Sequence, residues 1–510
     1  MKLRKRKMKK KRHLLLGVLA ATTALTLFAC GNESSKKSDK LQIVTTFYPM
    51  KEFTEQVVGK EADVTVLVKP GVEPHDFEPS AKDVAAIQNS DAFVYNNENL
   101  ETWVHKTTKD MKNVDVIKAS EGILLLGGSD EGDDEAGQEG HSHAYDPHVW
   151  LAPSLAIKEV ETIRDQLIKK FPQKKDSFTK NSESYLTKLK ALDQAYKDGL
   201  SNAKQKNFVT QHAAFAYLAL EYGLNQVSVS GINPETEPSA SRLKELKAYV
   251  DKNDIHYIYF EENASDKVAT TLAKEAGVKT LPLNPLESLT QEQEKSGEDY
   301  ISVMTQNLKN LQKTTDAVSR VTAIEPEKTP EKTATAGYFK DDQVKDRKLS
   351  DWSGTWQSVY PLLQKGDLDQ VMRYKSLLNK DKTEEEYKAY YTAGYKSDVD
   401  KITIKKDTIT FDVNGTLHKA TYKYVGKEIL NYTKGNRGVR YLFEAVGDTD
   451  GAFKYVQFSD HGIAPAQAEH FHIYYGNESQ AALTAELENW PTYYPSDLTP
   501  SQIAQEMIAH

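Results

Sequence analysis

A stretch with almost no apolar side chains divides this chain into two unlike parts. Glu325-Pro326-Glu327-Lys328-Thr329-Pro330-Glu331-Lys332-Thr333 is charged and proline-bearing, so it cannot bury a core. It reads as the middle of a linker over 321–336. The periodicity differs on its two sides, and 510 residues leave room for more than one domain.

Before the linker, strand and helix signals alternate. Apolar runs at 43–47, 63–68, 91–95 and 114–117 read as strands, with a helix over 81–88 that Ser80 can cap. A helical region follows, capped by Ser154, running to 170, breaking near Pro172 and resuming over 175–204. Tyr185, Leu189, Leu192, Tyr196 and Leu200 recur there at helical spacing. The alternation then starts again, with strands at 208–210, 227–229, 255–260 and 279–283. Ser239 or Ser241 caps a helix to Val250, another covers 265–276, and one closing helix spans 291–315. This pattern predicts two α/β units with parallel sheets on either side of a rigid helical spine. After the linker, short strands at 401–404, 408–413, 419–424, 439–445, 453–458 and 470–475, with an Asn414-Gly415 turn, predict a closed antiparallel barrel or sandwich.

The first twelve residues carry nine of the Lys and Arg, which leaves −17 on the rest of a chain whose formal charge is −8. So acidic a body repels nucleic acid and attracts cations. The basic block and the apolar run over 14–29 form a signal peptide, too short to be a span. Leu27-Phe28-Ala29-Cys30-Gly31 resembles a bacterial lipobox, with 30–40 as the lipidated tether. Cys30 is the only cysteine, so an intrachain disulfide is excluded. A transition-metal site in the body must therefore use imidazole and carboxylate, with water or carbonyls as extras.

The histidines are placed for that chemistry. Asp146-Pro147 stiffens the backbone ahead of His148, which suits a fixed ligand. His141 and His143 follow the acidic run 129–139 and read as a loose, metal-attracting loop. His75 lies in a loop with three prolines. His75, His212 and Glu287 each follow a strand, where open α/β sheets bind ligands. Three imidazoles and one carboxylate suit tetrahedral zinc and leave one net positive charge. Spacing alone does not bring the four together, and a lone loop histidine is more often a surface residue. Beyond the linker, His470 and His472 share a strand face, with His461 close by across a short connection. His105, His256, His418 and His510 are assigned no role.

Four ordered motifs carry a resemblance to the metal-specific solute-binding proteins of ABC importers, covering about 41–320. They are Val68-Lys69-Pro70-Gly71-Val72-Glu73-Pro74-His75-Asp76-Phe77-Glu78-Pro79-Ser80, Asp146-Pro147-His148-Val149-Trp150-Leu151, Val209-Thr210-Gln211-His212-Ala213-Ala214-Phe215 and Gly231-Ile232-Asn233-Pro234-Glu235-Thr236-Glu237-Pro238-Ser239. The resemblance implies two α/β lobes joined by a long helix, with metal in the cleft. His75, His148 and His212 fall on that family's three ligand histidines, the third matching its zinc branch where the manganese branch has glutamate. Glu287 falls where the family often supplies a fourth, carboxylate ligand; some zinc members use water. The loop over 129–143 matches the acidic, histidine-bearing loop of zinc members. The stretches 352–365 and 447–472, with Trp490-Pro491-Thr492-Tyr493-Tyr494-Pro495, resemble the ZinT family of zinc-binding, lipocalin-like barrels. That likeness covers about 337–510 and matches His461, His470 and His472 to the family's ligands.

Together these resemblances imply an α/β two-lobed metal solute-binding protein with a C-terminal lipocalin-like antiparallel β-barrel. The expected divisions are 1–29, 30–40, 41–320, 321–336 and 337–510. The expected function is an extracellular zinc receptor, anchored by lipid to the membrane's outer face and monomeric. It hands Zn²⁺ to an ABC permease with its ATPase, holding one zinc in the cleft and one in the barrel. The barrel is expected to collect zinc on a flexible linker, and the spine to limit cleft closure. It is not expected to be an enzyme. The alternatives are a manganese receptor of the same fold, an adhesin that needs no metal, and a zinc hydrolase at the open three-histidine site. That last site has no His-Glu-x-x-His signature and no evident general base.

Overall fold

The computed structural model describes residues 40–128, 145–234, 238–262, 266–317, 332–433 and 435–509. The expected signal peptide, Cys30, His141, His143 and most of the expected linker lie outside those residues.

The first lobe contains β1 (Leu41–Thr45), α1 (Tyr48–Val58), β2 (Ala62–Val66), α2 (Ala81–Gln88), β3 (Ala92–Tyr95), α3 (Val104–Thr108) and β4 (Asp115–Lys118). Its strands run parallel in the order β2-β1-β3-β4. β3 is buried along its whole length, as a parallel strand covered on both faces must be. Ser80 caps α2 as expected: its hydroxyl accepts the Asp83 N–H while the Asp83 carboxylate takes the Ser80 N–H.

Two helices lead out of this lobe, α4 (Pro153–Lys170) and α5 (Lys175–Leu200), separated by a 3₁₀ turn at Pro172–Lys174. The second lobe is β5 (Asn207–Thr210), α6 (Ala216–Glu221), β6 (Asn225–Ser228), α7 (Ala240–Lys252), β7 (Tyr257–Phe260), α8 (Lys267–Ala276), β8 (Lys279–Pro282), α9 (Gln291–Ser296) and α10 (Tyr300–Thr315). Its sheet repeats the first, in the order β6-β5-β7-β8, all parallel. α5 packs against α4 and against α1 and α10, so it runs along both lobes. α4 starts at Pro153 with Ala152 as its cap, where the missing N–H of proline costs nothing. Ser154, the expected cap, instead donates its hydroxyl to Glu221 at 2.8 Å. The single closing helix expected over 291–315 is two helices. Gly297 ends α9 in the left-handed region at φ 76°, and Asp299 caps α10 by accepting the Ser302 N–H.

The C-terminal part is a closed barrel, which decides between the two expected β architectures. Along the chain it runs β9 (Gly354–Ser358), α11 (Tyr360–Lys365), α12 (Asp369–Asn379), α13 (Glu384–Tyr395), β10 (Val399–Lys405), β11 (Thr408–Val413), β12 (Thr416–Asn431), β13 (Arg437–Val446), β14 (Tyr455–Ser459), β15 (Phe471–Gly476), α14 (Gln480–Ala485), β16 (Thr492–Pro495) and α15 (Pro500–Ala509). The strands close in the order β10-β11-β12-β13-β14-β15-β16-β9. Asn414 and Gly415, both at positive φ, make the predicted hairpin turn. β12 is longer than expected because a bulge between Tyr424 and Gly426 bends it around the barrel.

The helices α11, α12, α13 and α15 were not anticipated, and they change the relation between the two parts. Leu363, Val371, Met372 and Ile503 share one buried apolar cluster with Ile123, Leu125, Val149, Leu155 and Tyr217 of the lobes. Arg373 forms a bidentate pair with Glu221 of α6, at 2.8 and 2.6 Å. The barrel therefore docks on the lobes through its helices, in place of the freely tethered collector expected from the linker.

Between the lobes, Trp150 acts as a cross-brace. Its indole N–H donates to the Pro285 carbonyl at 2.8 Å, and its own carbonyl accepts the Tyr300 hydroxyl at 2.5 Å. Its ring meets Phe47 edge-on, 4.8 Å between centroids. Trp150→Ala is expected to destabilise the two-lobed part by about 3–5 kcal/mol. Chemical denaturation followed by circular dichroism measures this as a lower first midpoint.

Candidate metal centres

The ends of β2, β5 and β8 point into the space between the lobes, and each carries one candidate ligand just beyond it. His75 follows β2 in the proline-rich loop, His212 follows β5, and Glu287 follows β8. His148 sits immediately before a 3₁₀ turn that leads into α4. All four side chains come together, although the sequence separates them by up to 212 positions, counting from 75 to 287.

Their spacing is that of a coordination shell. The Nε2 atoms of His75 and His148 are 3.2 Å apart, and those of His148 and His212 are 3.4 Å apart. Glu287 Oε1 lies 3.2 Å from His148 Nε2 and 3.4 Å from both His75 Nε2 and His212 Nε2. A zinc ion about 2.05 Å from four tetrahedral donors requires donor separations of about 3.3 Å. Nitrogen lone pairs and a carboxylate crowded this closely are arranged for a shared cation.

Behind the ligands stand carboxylates. Asp146 Oδ1 accepts the Nδ1–H of His148 at 2.7 Å and its backbone N–H at 2.9 Å. Glu261, just past β7, accepts the Nδ1–H of His212. Each pairing fixes the tautomer that turns Nε2 and its lone pair toward the centre. The two carboxylates also overturn the net positive charge expected from the four ligands alone. Glu73 accepts the backbone N–H of His75 at 3.1 Å and lines the mouth with Glu261 and Glu287. Burial and the nearby Glu287 push the Glu73 carboxyl up to about 8.

The titration directions follow from this geometry. Burial works against charge on His148 and His212, but Asp146 and Glu261 outweigh it and raise both pKa values. Burial dominates at His75 and lowers its pKa. Glu287 is buried too, yet hydrogen bonds from His148, His212 and His75 hold it well below the carboxylate range.

The second cluster lies at one end of the barrel. The ligand atoms of His461, His470 and His472 all fall within 4.8 Å of one another. His472 Nδ1–H donates to Thr492 Oγ1 at 2.7 Å, which again leaves Nε2 free to bind metal. His470 stacks on Tyr494, 5.0 Å between ring centroids. His461 adopts a left-handed conformation at φ 61°, unusual for a non-glycine residue. The loop is held by buried Arg347, which donates to Asp460 at 2.6 Å. Among the described residues no carboxylate joins this donor cluster, and His461 and His472 line a cavity of about 630 Å³. Burial, His461 and Arg440 push His472 down to about 3.

Asp146, Glu261, Thr492 and Arg347 were not singled out from the sequence. Glu261 carried a usable signal, because it follows a strand in the same way as His212 and Glu287. Asp146 was read only as half of a stiff Asp-Pro pair.

Two α/β lobes on a helical spine, with an N₃O donor set between them, define a metal solute-binding protein; a second donor set sits in its appended barrel. Residues 43–314 match the family model "ZnuA: Zinc-uptake complex component A periplasmic", and residues 330–510 match "ZinT (YodA) periplasmic lipocalin-like zinc-recruitment". The zinc-binding lipoprotein AdcA of Streptococcus pneumoniae is 60% identical over 97% of this chain and 99% of its own. The zinc-binding protein AdcA of Streptococcus pyogenes is 54% identical over 99% of this chain and 100% of its own. The crystal structure of Zn(II)-bound AdcA from Streptococcus pneumoniae matches with a TM-score of 0.85 at 59% identity, covering 92% of this chain and 100% of that one. The chain belongs to the ZnuA family, in the AdcA form that carries a ZinT domain.

Zinc must displace the protons that the raised pKa values of His148 and His212 favour. Cleft affinity therefore rises with pH through those values and falls as the solution is acidified. Between about pH 8 and about pH 6, the cleft should therefore lose zinc affinity. Calorimetry in buffers of different ionisation enthalpy measures both the affinities and the protons released.

Proposed function

We propose that this chain is the zinc receptor of an ABC importer, taking Zn²⁺ into the cleft between its lobes and delivering it to a membrane permease and its ATPase. One observation carries the reading: four donor atoms at tetrahedral zinc spacing, backed by buried carboxylates. In this reading His75, His148, His212 and Glu287 ligate the transported ion, and His461, His470 and His472 hold a second one in the barrel as an auxiliary scavenging site. The division into a receptor over 41–320 and a barrel over 337–510 goes with it, as does a loop at His141 and His143 that attracts metal. Lipid attachment at Cys30 would hold the protein at the outer face of the membrane, which agrees with the lipoprotein name of its relatives.

The donor chemistry favours zinc over manganese, since a third imidazole replaces the oxygen ligand that Mn²⁺ prefers. A cleft closed by four protein ligands holds its ion without offering a position for chemistry, which supports transport over hydrolysis. In the barrel, Thr492 holds the ring of His472 by a hydrogen bond and Tyr494 holds that of His470 by stacking.

His75→Ala or His212→Ala in the full chain should weaken cleft binding by more than the roughly 10–100-fold that follows loss of a supporting carboxylate, while the barrel site keeps its affinity. Two-site calorimetry with zinc measures this. Unchanged binding at both sites would remove the assignment.

A further inference from the structure

One fully buried side chain of the second lobe reaches the first lobe and is not among the metal ligands. Tyr217, on α6, donates its hydroxyl to the carbonyl of Asp146 at 2.7 Å and accepts the N–H of Leu126 at 2.9 Å. The Asp146 N–H in turn donates to the Leu126 carbonyl at 2.9 Å. One phenol thus ties together two first-lobe segments. One of them carries the carboxylate that orients His148 through both its ring and its backbone.

The C-terminal domain packs the same tyrosine from outside. Tyr217 shares its apolar cluster with Leu363, Val371, Met372 and Ile503. Gln505 of α15 pairs with the backbone of Leu125, accepting its N–H at 2.8 Å and donating to its carbonyl at 2.7 Å. Gln370 of α12 donates to the Gly122 carbonyl at 2.7 Å. Arg373, also on α12, grips Glu221 on α6 about one helical turn beyond Tyr217. The barrel's helices therefore hold the 122–126 segment of the first lobe and α6 of the second lobe at once. Any movement that draws α6 away from that segment breaks either the Tyr217 hydrogen bonds or the docking contacts.

We propose that Tyr217 is a positioning residue for His148, and that the docked C-terminal domain keeps it in place, so that docking slows the loss of zinc from the cleft. This rests on the zinc-receptor reading above. The two metal domains are then coupled mechanically, in addition to any sharing of zinc, and the coupling has an identifiable route: α12 to α6, Tyr217 to Asp146, Asp146 to His148.

The test uses the full chain with His470→Ala and His472→Ala, which removes the barrel site from the readout. Zinc release to an excess of chelator is followed by stopped flow, and Co²⁺ is bound in place of zinc to read the ligand field. Tyr217→Phe keeps the ring and its packing and removes only the hydroxyl. It should speed release by about 2- to 10-fold for each of the two hydrogen bonds lost, and should shift the visible Co²⁺ bands. Arg373→Gln should speed release in the same direction and add nothing further in the Tyr217→Phe background. Lower thermal stability with unchanged release and an unchanged Co²⁺ spectrum would assign Tyr217 a structural role alone and overturn the proposal. Additive effects of the two variants would overturn the route through α6. A parent chain whose cleft binds no zinc would overturn the receptor reading itself, and this inference with it.

Discussion

An imidazole can present a lone pair to a cation only if its other nitrogen is satisfied, and in a water-excluded cleft the protein must supply that partner. Asp146 and Glu261 do so for His148 and His212. Both carboxylates are buried, and they would be destabilising without the histidines they serve. Ligands and supports are thus each other's compensation, and the surrounding fold is arranged to keep them in register. The ends of β5, β7 and β8 deliver His212, Glu261 and Glu287 from a single parallel sheet, so the second lobe presents three of these groups on one rigid edge.

The first lobe reaches the same point differently. His75 arrives on a proline-stiffened loop, and His148 on the short turn that opens α4. Trp150, two residues on, crosses the cleft to Pro285 and Tyr300, so the segment carrying His148 is anchored in the opposite lobe. The cleft is then less a gap between two bodies than a seam with several stitches. α5 packs along both lobes, and the barrel's helices add a further layer over the seam's outer side.

Much of this was legible in the sequence because its causes are local. Parallel strands covered on both faces produce short apolar runs, and Ser80 announces the start of α2 as its cap. The candidate ligands were visible as loop histidines after strands, but their meeting point came from the resemblance, since nothing in the spacing of 75, 148, 212 and 287 encodes a shared vertex. What was missed depends on longer range. Gly297 ends the polar helix α9 before α10 begins, a break inside what reads as one helical stretch. The helices α11, α12, α13 and α15 are short and lie among strong β signals, which masked them. Their apolar faces make sense only against residues 123–126 and α6, more than 130 positions away. The supporting carboxylates share that difficulty, because each is defined by what it touches.

One candidate donor set is nitrogen and oxygen and the other is nitrogen alone, and the sole sulfhydryl of the chain lies far upstream at Cys30. Thiolate sites surrender zinc when peroxide or hypochlorite oxidises their sulfur, because the oxidised ligand no longer binds. Neither centre here has such a ligand to lose. Metal held by the proposed cleft ligands would be indifferent to ambient redox potential, and acid, rather than oxidant, would be the natural agent that loosens it.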